Sequence, residues 1–246
     1  MPKSRRTLAV IGGTGVIGHF GLGKRLDLET PFGEAVAFEA EDGGYFVLPR
    51  HGPEHSVPPH RINYRANIAA LEELGVDEVV ATSAVGSMNR KFRVGQMGLV
   101  EQFLDFTKRR DGTFFDDSVH HTDVTNPYDA GLNAKLRKAA ESLGMKVRTG
   151  LVYVCAEGPR FESAAEVRMF RNLGGDVVGM TGVPEVVLAN EKGMHYASVV
   201  VATNWAAGMQ RKVSHEEVLK VMKKSGRMAR DLIQAMIKAE AKQGSP

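Results

Sequence analysis

Residues 196–204, with the sequence YASVVVATN, form the last apolar run of the chain and end in a neutral amide, Asn204. Their small and β-branched side chains are typical of a strand that is buried on both faces. A buried amide needs partners for both its carbonyl and its NH2 group. Two interpretations follow: Asn204 caps a turn or a helix, or it binds a group that offers one acceptor and one donor side by side.

Six further apolar runs resemble residues 196–204 and end in glycine, serine, threonine or other polar residues. They cover residues 7–13, 45–52, 78–86, 98–106, 150–158 and 176–182. Between them lie stretches that have helical spacing of apolar residues and close on a glycine. These cover residues 62–75, 133–144, 163–175 and 184–193. A long amphipathic helix is predicted over residues 214–240, opened by Ser214, with Glu217 completing a capping box.

This alternation of strands and helices predicts an α/β fold. We expect one domain over residues 1–246, with a central mixed, largely parallel sheet flanked by helices. A chain of this length can bury a sizeable core as a single domain. In such folds ligands bind beyond the carboxyl ends of the strands, so the residues that end each run are the candidates for function.

The composition is that of an ordinary globular protein, with 43% apolar and 25% charged residues. The net charge of +3 is too small to favour nucleic acid or a membrane as a partner. We find no signal peptide and no run long enough to span a bilayer, and we expect a reducing, cytoplasmic location. The single cysteine, Cys155, excludes a disulfide framework and a cysteine-based metal site, and its apolar neighbours predict a buried, inert thiol.

Residues 11–18, IGGTGVIG, match the GxGxxG pattern and raise the hypothesis of a dinucleotide site in an NAD-linked oxidoreductase. That site requires a helix directly after the loop and an acidic end to the second strand. Here the residues that follow are interrupted by glycines, and the second apolar run ends in Arg50 and His51. A glycine loop with Thr14 at its tip still suits phosphate, because backbone N–H groups and a hydroxyl can point at one anion.

Arg50 and His51 are placed at a strand end, where an arginine can hold phosphate oxygens with two parallel hydrogen bonds. His55 and His60 follow closely. Their spacing matches no helix face and prolines intervene, so no metal site is predicted. We interpret His55 and His60 as surface or hydrogen-bonded histidines.

Three other runs end in residues suited to bind a sugar, a base or an anion. Residues 82–87, TSAVGS, are small, and small residues let a planar ligand or a sugar approach the backbone. Phe161 and Glu162 follow a Gly-Pro turn, where a ring can stack on a base and a carboxylate can accept from a ring N–H. Glu162 could equally be an acid at a helix N-terminus. Met180 and Thr181 offer a polarizable surface and a hydroxyl, and a core methionine is the alternative for Met180.

The motifs IGGTG, RHG followed by NYRANI, TSAVGS, EGPRFES, VGMTGVPEVVLA and ATN together resemble one family. It is the trimeric purine nucleoside phosphorylase and methylthioadenosine phosphorylase family, and the likeness is strongest to its 6-oxopurine nucleoside phosphorylases. The similarity runs from about Leu8 to the last helix. By this resemblance the phosphate site consists of Thr14, Arg50, His51, Ser83, Ala84 and Thr181. The ribose would lie at Met180, and the purine site would consist of Phe161, Glu162, Asn204, Trp205 and Ala206.

The resemblance implies phosphorolysis of a purine nucleoside, with phosphate as co-substrate and with neither a metal nor an organic cofactor. The catalytic residues that it implies are His51, Glu162 and Asn204. It also implies a trimer or a dimer of trimers, because His121 aligns with the position at which a neighbouring subunit contacts the sugar.

Glu162, Asn204 and His215 are the predicted determinants of specificity. Relatives that act on 6-aminopurines have an Asp at the position of Asn204 and often a second one at Ala206. Asn204 can instead donate to a 6-oxo oxygen and accept a hydrogen bond from N7–H, while Glu162 accepts from N1–H. His215 resembles the histidine that reaches a 5′-hydroxyl, which favours inosine and guanosine as substrates. Alternatives that stay open are a methylthioinosine or methylthioadenosine phosphorylase and a nucleoside-binding protein without catalysis.

Overall fold

Nine strands form one sheet in the part of the chain that this computed structural model describes, residues 7–243. They are β1 (Leu8–Gly12), β2 (Leu22–Thr30), β3 (Gly33–Ala40), β4 (Tyr45–Pro49), β5 (Glu78–Ser87), β6 (Met97–Phe106), β7 (Val147–Ala156), β8 (Val177–Gly179) and β9 (His195–Trp205). All seven apolar runs that predict strands are strands. In β9 every residue from 196 to 204 is buried, as the apolar run predicts.

The sequence analysis missed the hairpin of β2 and β3, which pair antiparallel over residues that look interrupted by glycines. Only alternate residues of β2 are partly buried, and Leu28 packs against Ala66 and Ala70. This half-polar pattern is typical of a strand with one solvated face and gives no continuous apolar run. The strand that leads to Arg50 is therefore the fourth in the chain and not the second.

Five helices flank the sheet within the described residues. They are α1 (Tyr64–Glu73), α2 (Ala130–Ser142), α3 (Ala164–Asn172), α4 (Glu185–Glu191) and α5 (His215–Gln243). The predicted capping box of α5 is only half formed: the Ser214 hydroxyl accepts from the Glu217 N–H at 3.3 Å, but the Glu217 carboxylate accepts from Gln210 at 2.7 Å. The complete capping box belongs to α3, between Ser163 and Glu166.

The sheet is mixed and closes on itself at one side. Its order is β2-β3-β4-β1-β5-β8-β7-β6-β9, and β9 also pairs with β5. Strands β4, β1, β5 and β9 are mutually parallel neighbours, whereas β8 runs antiparallel to β5. The mixed, largely parallel sheet is thus confirmed, and the ring β5-β8-β7-β6-β9 is a feature that the sequence analysis did not predict.

The topology brings several strand ends to one place. The carboxyl ends of β1, β4, β5 and β9 lie at the same edge because these strands are parallel. Strand β8 arrives from the opposite direction and pairs with the carboxyl end of β5, so Thr181, two residues after β8, meets Ser83. Among residues 7–243, no helix combines the length and the apolar character needed to cross a membrane.

The thiol of Cys155 is fully buried in the core, as predicted. Its N–H···S and S–H···O contacts are with the backbone of Val183 at 3.4 and 3.5 Å. Burial raises the pKa of Cys155 to about 12, so the thiolate is not formed near neutral pH. This is the environment of a structural cysteine and not of a nucleophile.

Candidate active site

A cavity of about 370 Å³ opens at the shared edge of strand ends. The predicted site residues that line it are Thr14, Arg50, His51, Ser83, Ala84, Phe161, Glu162, Met180, Thr181, Asn204 and His215. They come from strands and loops up to two hundred residues apart, as the rule for ligands in α/β sheets leads one to expect. The sequence analysis missed other lining residues, among them His55, the segment 56–59, Thr203 and Val218.

Three predicted residues do not line this cavity. Ala206 is buried behind it in a core cluster with Val178 and Phe170. Trp205 is partly buried, and its backbone N–H donates to the side chain of Gln210 at 2.8 Å. His121 is exposed on the long segment between β6 and α2, so its contact with a neighbouring subunit's sugar stays a prediction.

One end of the cavity is rich in hydroxyl groups. The Ser83 and Thr181 hydroxyls lie 3.4 Å apart, and the side chain of Thr14 lines the same space. Gly13 has to be glycine here, because a Cβ would lie 2.9 Å from Arg50 Nη1 and 2.8 Å from a backbone oxygen. The Gly13 N–H donates to Thr82 at 3.1 Å, so this amide of the glycine loop is not free for an anion.

Arg50 is almost fully buried at this hydroxyl-rich end and pairs with Glu185. Its Nε and Nη2 donate to the two Glu185 oxygens at 2.5 and 2.7 Å, and its Nη1 donates to the Thr82 carbonyl at 2.7 Å. Burial by itself would lower the pKa of Arg50, but the Glu185 carboxylate outweighs it and raises the pKa. Three of the five N–H donors are used, and two are left for an anion in the cavity.

The sequence analysis gave no role to Glu185, which read only as an acid in the first turn of a short helix. It is completely buried, and Tyr196 donates a further hydrogen bond to it at 2.7 Å. A buried charge is stable when it is both paired and hydrogen-bonded. Glu185 therefore fixes the guanidinium of Arg50 and balances its charge.

His51 and His55 form a second wall of the hydroxyl-rich end. His51 Nδ1 lies 2.8 Å from the carbonyl of Val57, which can only accept, so Nδ1 carries the proton. Burial lowers the pKa of His51 to about 4, and the ring is neutral with Nε2 free as an acceptor. The His55 ring packs against His51 with centroids 4.6 Å apart, and its Nε2 lies 3.3 Å from the Thr14 hydroxyl.

His55 is a surface and hydrogen-bonded histidine, as predicted, and it also lines the cavity, which the sequence analysis did not predict. The missed signal is the backbone, since His55 has a φ of +51°, a left-handed conformation that closes the turn after His51. His60 is partly buried and does not line the cavity. Within residues 7–243, no group of three or more His, Cys, Asp or Glu side chains is arranged to hold a metal ion.

The opposite end of the cavity is formed by a neutral amide, a carboxylate and an aromatic ring. Asn204 is 4% exposed at the end of β9. Its Nδ2 donates to the Trp205 carbonyl at 3.0 Å, and its Oδ1 lies 2.9 Å from the Thr203 hydroxyl. Because a carbonyl can only accept, the contact with Trp205 fixes which way the amide faces. One N–H and one oxygen lone pair of the amide remain without a hydrogen bond among the described residues, and the binding role of Asn204 stays a prediction.

Phe161 and Glu162 face this amide end from the loop after β7. Phe161 is 39% exposed, as expected of an aromatic side chain whose ring face is open for stacking. Burial raises the pKa of Glu162, and the nearby Glu166 raises it further, while its own backbone N–H and Arg160 oppose this. Glu162 is thus a carboxylate that gains from accepting a hydrogen bond.

Met180 lies between the two ends of the cavity, and His215 lies at its mouth. Gly158, with a φ of +70°, makes room for Met180, since a Cβ there would lie 2.7 Å from the sulfur. His215 is exposed at the first turn of α5, and Val218 lies one turn further along the same helix face. Gln210 holds this turn by donating to Glu217 and accepting from the Trp205 N–H.

The cavity therefore combines hydroxyl groups and a buried guanidinium at one end with an amide, a carboxylate and an aromatic ring at the other. Residues 7–238 match the model of the phosphorylase superfamily, and the chain belongs to this superfamily.

Relatives of known name are similar along almost their whole length. The chain is 50% identical to a probable 6-oxopurine nucleoside phosphorylase from Moorella thermoacetica, over 94% of this chain and 92% of the relative. It is 47% identical to a probable S-methyl-5′-thioinosine phosphorylase from Methanopyrus kandleri, over 94% of this chain and 91% of the relative. A solved structure of methylthioadenosine phosphorylase from Schistosoma mansoni in complex with adenine superposes with a TM-score of 0.89. It is 29% identical and covers 96% of this chain and 92% of that one.

Proposed function

We propose that the protein catalyses the phosphorolysis of 6-oxopurine nucleosides, such as inosine and guanosine, to the free purine and ribose 1-phosphate. The observation that carries this proposal is the pair formed by Asn204 and Glu162 at one end of the cavity. Asn204 offers one N–H and one oxygen lone pair, which match the O6 oxygen and a protonated N7 of a 6-oxopurine.

Glu162 adds a second criterion for the base. A 6-oxopurine carries a hydrogen on N1, which an ionised carboxylate accepts, whereas the N1 of adenine carries a lone pair that the carboxylate repels. The burial of Glu162 makes an unpaired charge costly there, so the N1–H contact is worth more than it would be in water. Both groups therefore favour the same class of base.

In the proposed reaction, phosphate binds at the hydroxyl-rich end, where the hydroxyls of Ser83 and Thr181 and the two free N–H groups of Arg50 donate to it. A phosphate oxygen forms a bond to C1′ of the sugar while the bond from C1′ to N9 breaks, through an oxocarbenium-like transition state. The purine takes up a proton at N7, which balances the proton that the hydrogen phosphate loses to solvent as it becomes the sugar phosphate, and the N–H of Asn204 stabilises the negative charge that develops on O6. A donor of this kind typically contributes about 3 kcal/mol, roughly a hundredfold in rate.

The names of the relatives support this assignment. Relatives at 45–50% identity are named as 6-oxopurine nucleoside phosphorylases, while two relatives named S-methyl-5′-thioadenosine phosphorylase are 40% identical. We extend the proposal to a trimer or a dimer of trimers in the cytoplasm, in which His121 of one subunit contacts the sugar bound by its neighbour. The co-substrate is phosphate, and the residues named above perform the reaction without a metal or an organic cofactor.

A second candidate function is the phosphorolysis of S-methyl-5′-thioinosine. The observation that favours it is Val218, an apolar and nearly buried residue that lines the cavity one turn after His215. A methylthio group would pack on Val218, whereas a 5′-hydroxyl would bond to His215. The Methanopyrus kandleri relative named for this substrate is 47% identical.

The test is the release of hypoxanthine from inosine and from 5′-methylthioinosine, with and without phosphate, and with 5′-methylthioadenosine as the control. We expect phosphate-dependent cleavage of inosine and negligible release of adenine. Preference for methylthioinosine would select the second candidate and leave the role of Asn204 intact. Rapid cleavage of methylthioadenosine would contradict the reading of both Asn204 and Glu162.

A further inference from the structure

Arg110 is a buried cation that lies outside the cavity described above, on the segment that follows β6. Its side chain is 3% exposed, and the nearest carboxylate, that of Glu157, is 3.8 Å away. A buried guanidinium with so distant a counterion has to be held by hydrogen bonds to neutral acceptors. In this protein the acceptors belong to the loops that form the walls of the candidate active site.

Two of these loops are held by direct hydrogen bonds. Nη1 of Arg110 donates to the Val183 carbonyl at 2.5 Å, in the loop that carries Met180 and Thr181. Nη2 donates to the Glu157 carbonyl at 2.8 Å, in the loop that carries Glu162. Hydrogen bonds from a charged donor are about twice as strong as those between neutral groups.

A third loop is held through Tyr64. Nη1 of Arg110 donates to the Tyr64 hydroxyl at 3.1 Å, and this hydroxyl donates in turn to the Pro59 carbonyl at 3.1 Å. Pro59 lines the cavity in the loop that carries His51. The guanidinium also lies over the Tyr64 ring at 5.2 Å, which fixes the ring beneath it.

We propose that Arg110 is a positioning residue that sets the spacing between the phosphate, sugar and base walls of the site by holding these three loops at once. The inference rests on the proposed function, because the three loops are the ones that would hold phosphate, ribose and purine. A lysine cannot replace it, since an ammonium is a point donor and the planar fork of an arginine reaches separate acceptors in fixed directions.

The matched control is Arg65, which lies close in sequence to Tyr64 and pairs with Asp111 and Asp116 of the same segment as Arg110. The Arg65 side chain is 19% exposed, and its hydrogen bonds within residues 7–243 go to these two aspartates and not to the three loops. Arg65→Lys therefore makes the same replacement without changing a contact of those loops. We expect Arg110→Lys to lower kcat/KM for inosine about a hundredfold, as misplacing reacting groups by about 1 Å does. We expect Arg65→Lys to stay within about threefold of the wild type.

The replacement Tyr64→Phe tests one of the three loops by itself. The ring and the packing are kept, but the link from Arg110 to Pro59 is lost. We expect KM for phosphate to rise at least about fivefold, the effect of one net hydrogen bond, with little change in the affinity for the base. A merely structural role of Tyr64 would not divide the effect between the two substrates in this way.

Both variants are assayed well below their melting temperatures, so that the folded fraction is compared. Wild-type kcat/KM in a folded Arg110→Lys protein overturns the proposal, and so does an equal loss in Arg65→Lys. If Arg110→Lys does not fold, Tyr64→Phe decides: equal KM values for phosphate in Tyr64→Phe and the wild type overturn it.

A measurement of ligand binding distinguishes failure of the positioning role of Arg110 from failure of the proposed function. Trp205 is the single tryptophan and adjoins Asn204, so its fluorescence reports the binding of hypoxanthine and of phosphate without turnover. If the wild type binds hypoxanthine but releases none from inosine, the proposed function fails, and weaker binding by Arg110→Lys still supports the positioning role. A wild type that neither binds nor cleaves overturns both.

Discussion

The two ends of the cavity are built on opposite plans. At the phosphate end a cation is paired with a carboxylate in the core: Arg50 and Glu185 have side chains that are 1% and 0% exposed. At the base end the amide of Asn204 is neutral, and Phe161 stands 39% exposed on a loop. In the proposed function, the cation that meets phosphate is held rigid and already balanced, whereas the base meets a neutral amide and a single carboxylate, Glu162, without a paired cation in the core. The comparison teaches that the phosphate end depends on the fold, and the base end depends on single side chains.

The replacement Glu185→Gln breaks the phosphate end and should have the largest effect. It leaves the buried charge of Arg50 without its counterion, and breaking such a pair typically costs about 3–5 kcal/mol of unfolding free energy. Phosphate then supplies the missing negative charge, so it should raise the melting temperature more in the variant than in the wild type. Asp27→Asn, which breaks the exposed pair with Arg25, is the control and should change neither quantity measurably.

The replacement Asn204→Asp tests the base end directly. A carboxylate cannot donate to a 6-oxo oxygen, so kcat/KM for inosine should fall about a hundredfold or more while the fold persists. The ratio of adenosine to inosine cleavage should rise, because an aspartic acid can donate to N7 and accept from an amino group. Asn204→Ala removes the donor and the acceptor together, so it should lose inosine cleavage and gain no adenosine cleavage. An unchanged ratio in Asn204→Asp would show that the amide does not select the base.

His51 makes the phosphate end sensitive to acid, while the base end lacks such a group of lowered pKa. Burial lowers the pKa of His51 from 6.5 to about 4, so the unfolded chain takes up a proton before the folded one does. Its contribution is present above about pH 6.5 and is lost as the pH falls towards 4, which amounts to roughly 2 kcal/mol at about pH 4.5. In His51→Asn, unfolding by urea without phosphate should change less between about pH 7 and pH 4.5 than in the wild type. Parallel pH dependences in the two proteins would contradict the assignment.

Replacement of Glu162 should have the smallest effect on activity, and the contribution of Glu162 to stability changes with pH in the opposite direction to that of His51. Burial raises its pKa, and the ionised form accepts from N1–H, so kcat/KM for inosine should fall as the pH drops through this raised pKa. Stability behaves inversely, since a carboxyl with a raised pKa in the folded state favours folding at low pH and loses this as the pH rises. In Glu162→Gln the amide oxygen still accepts, so the loss near neutral pH should be about fivefold. The acidic limb of the pH profile should disappear in this variant and persist in the control Glu157→Gln.

Much of the site could be predicted because its residues end buried strands. Asn204, Ser83 and Arg50 each follow a continuous apolar run, and parallel strands bring such ends to one edge of the sheet. The orientation of the Asn204 amide could not be predicted, because the Trp205 carbonyl that fixes it is a matter of backbone geometry. The base and phosphate roles of single residues rest on motif resemblance, and they stay predictions.

The sequence did not reveal which residues form contacts across long separations along the chain. Glu185 reads as a helix N-terminal acid, yet it balances an arginine 135 residues away. Arg110 lies in a charged, irregular stretch that looks like a solvated loop, yet it is buried beneath the site. The β2–β3 hairpin was missed because its alternation of polar and apolar residues is interrupted by glycines. Such features depend on tertiary contacts, which local patterns do not encode.

The ring of strands β5 to β9 bears on how the protein behaves at high concentration. Where strands β5, β8, β7, β6 and β9 pair with one another in the ring, their backbone groups are already bonded and another chain cannot extend them. Within the described residues, β2 ends the sheet on its open side, and it presents Lys24, Arg25, Asp27 and Glu29 to solvent. An added strand would have to desolvate these charges. The apolar strands of the ring are therefore paired inside the sheet, and the exposed edge strand, β2, is one that resists the addition of another strand.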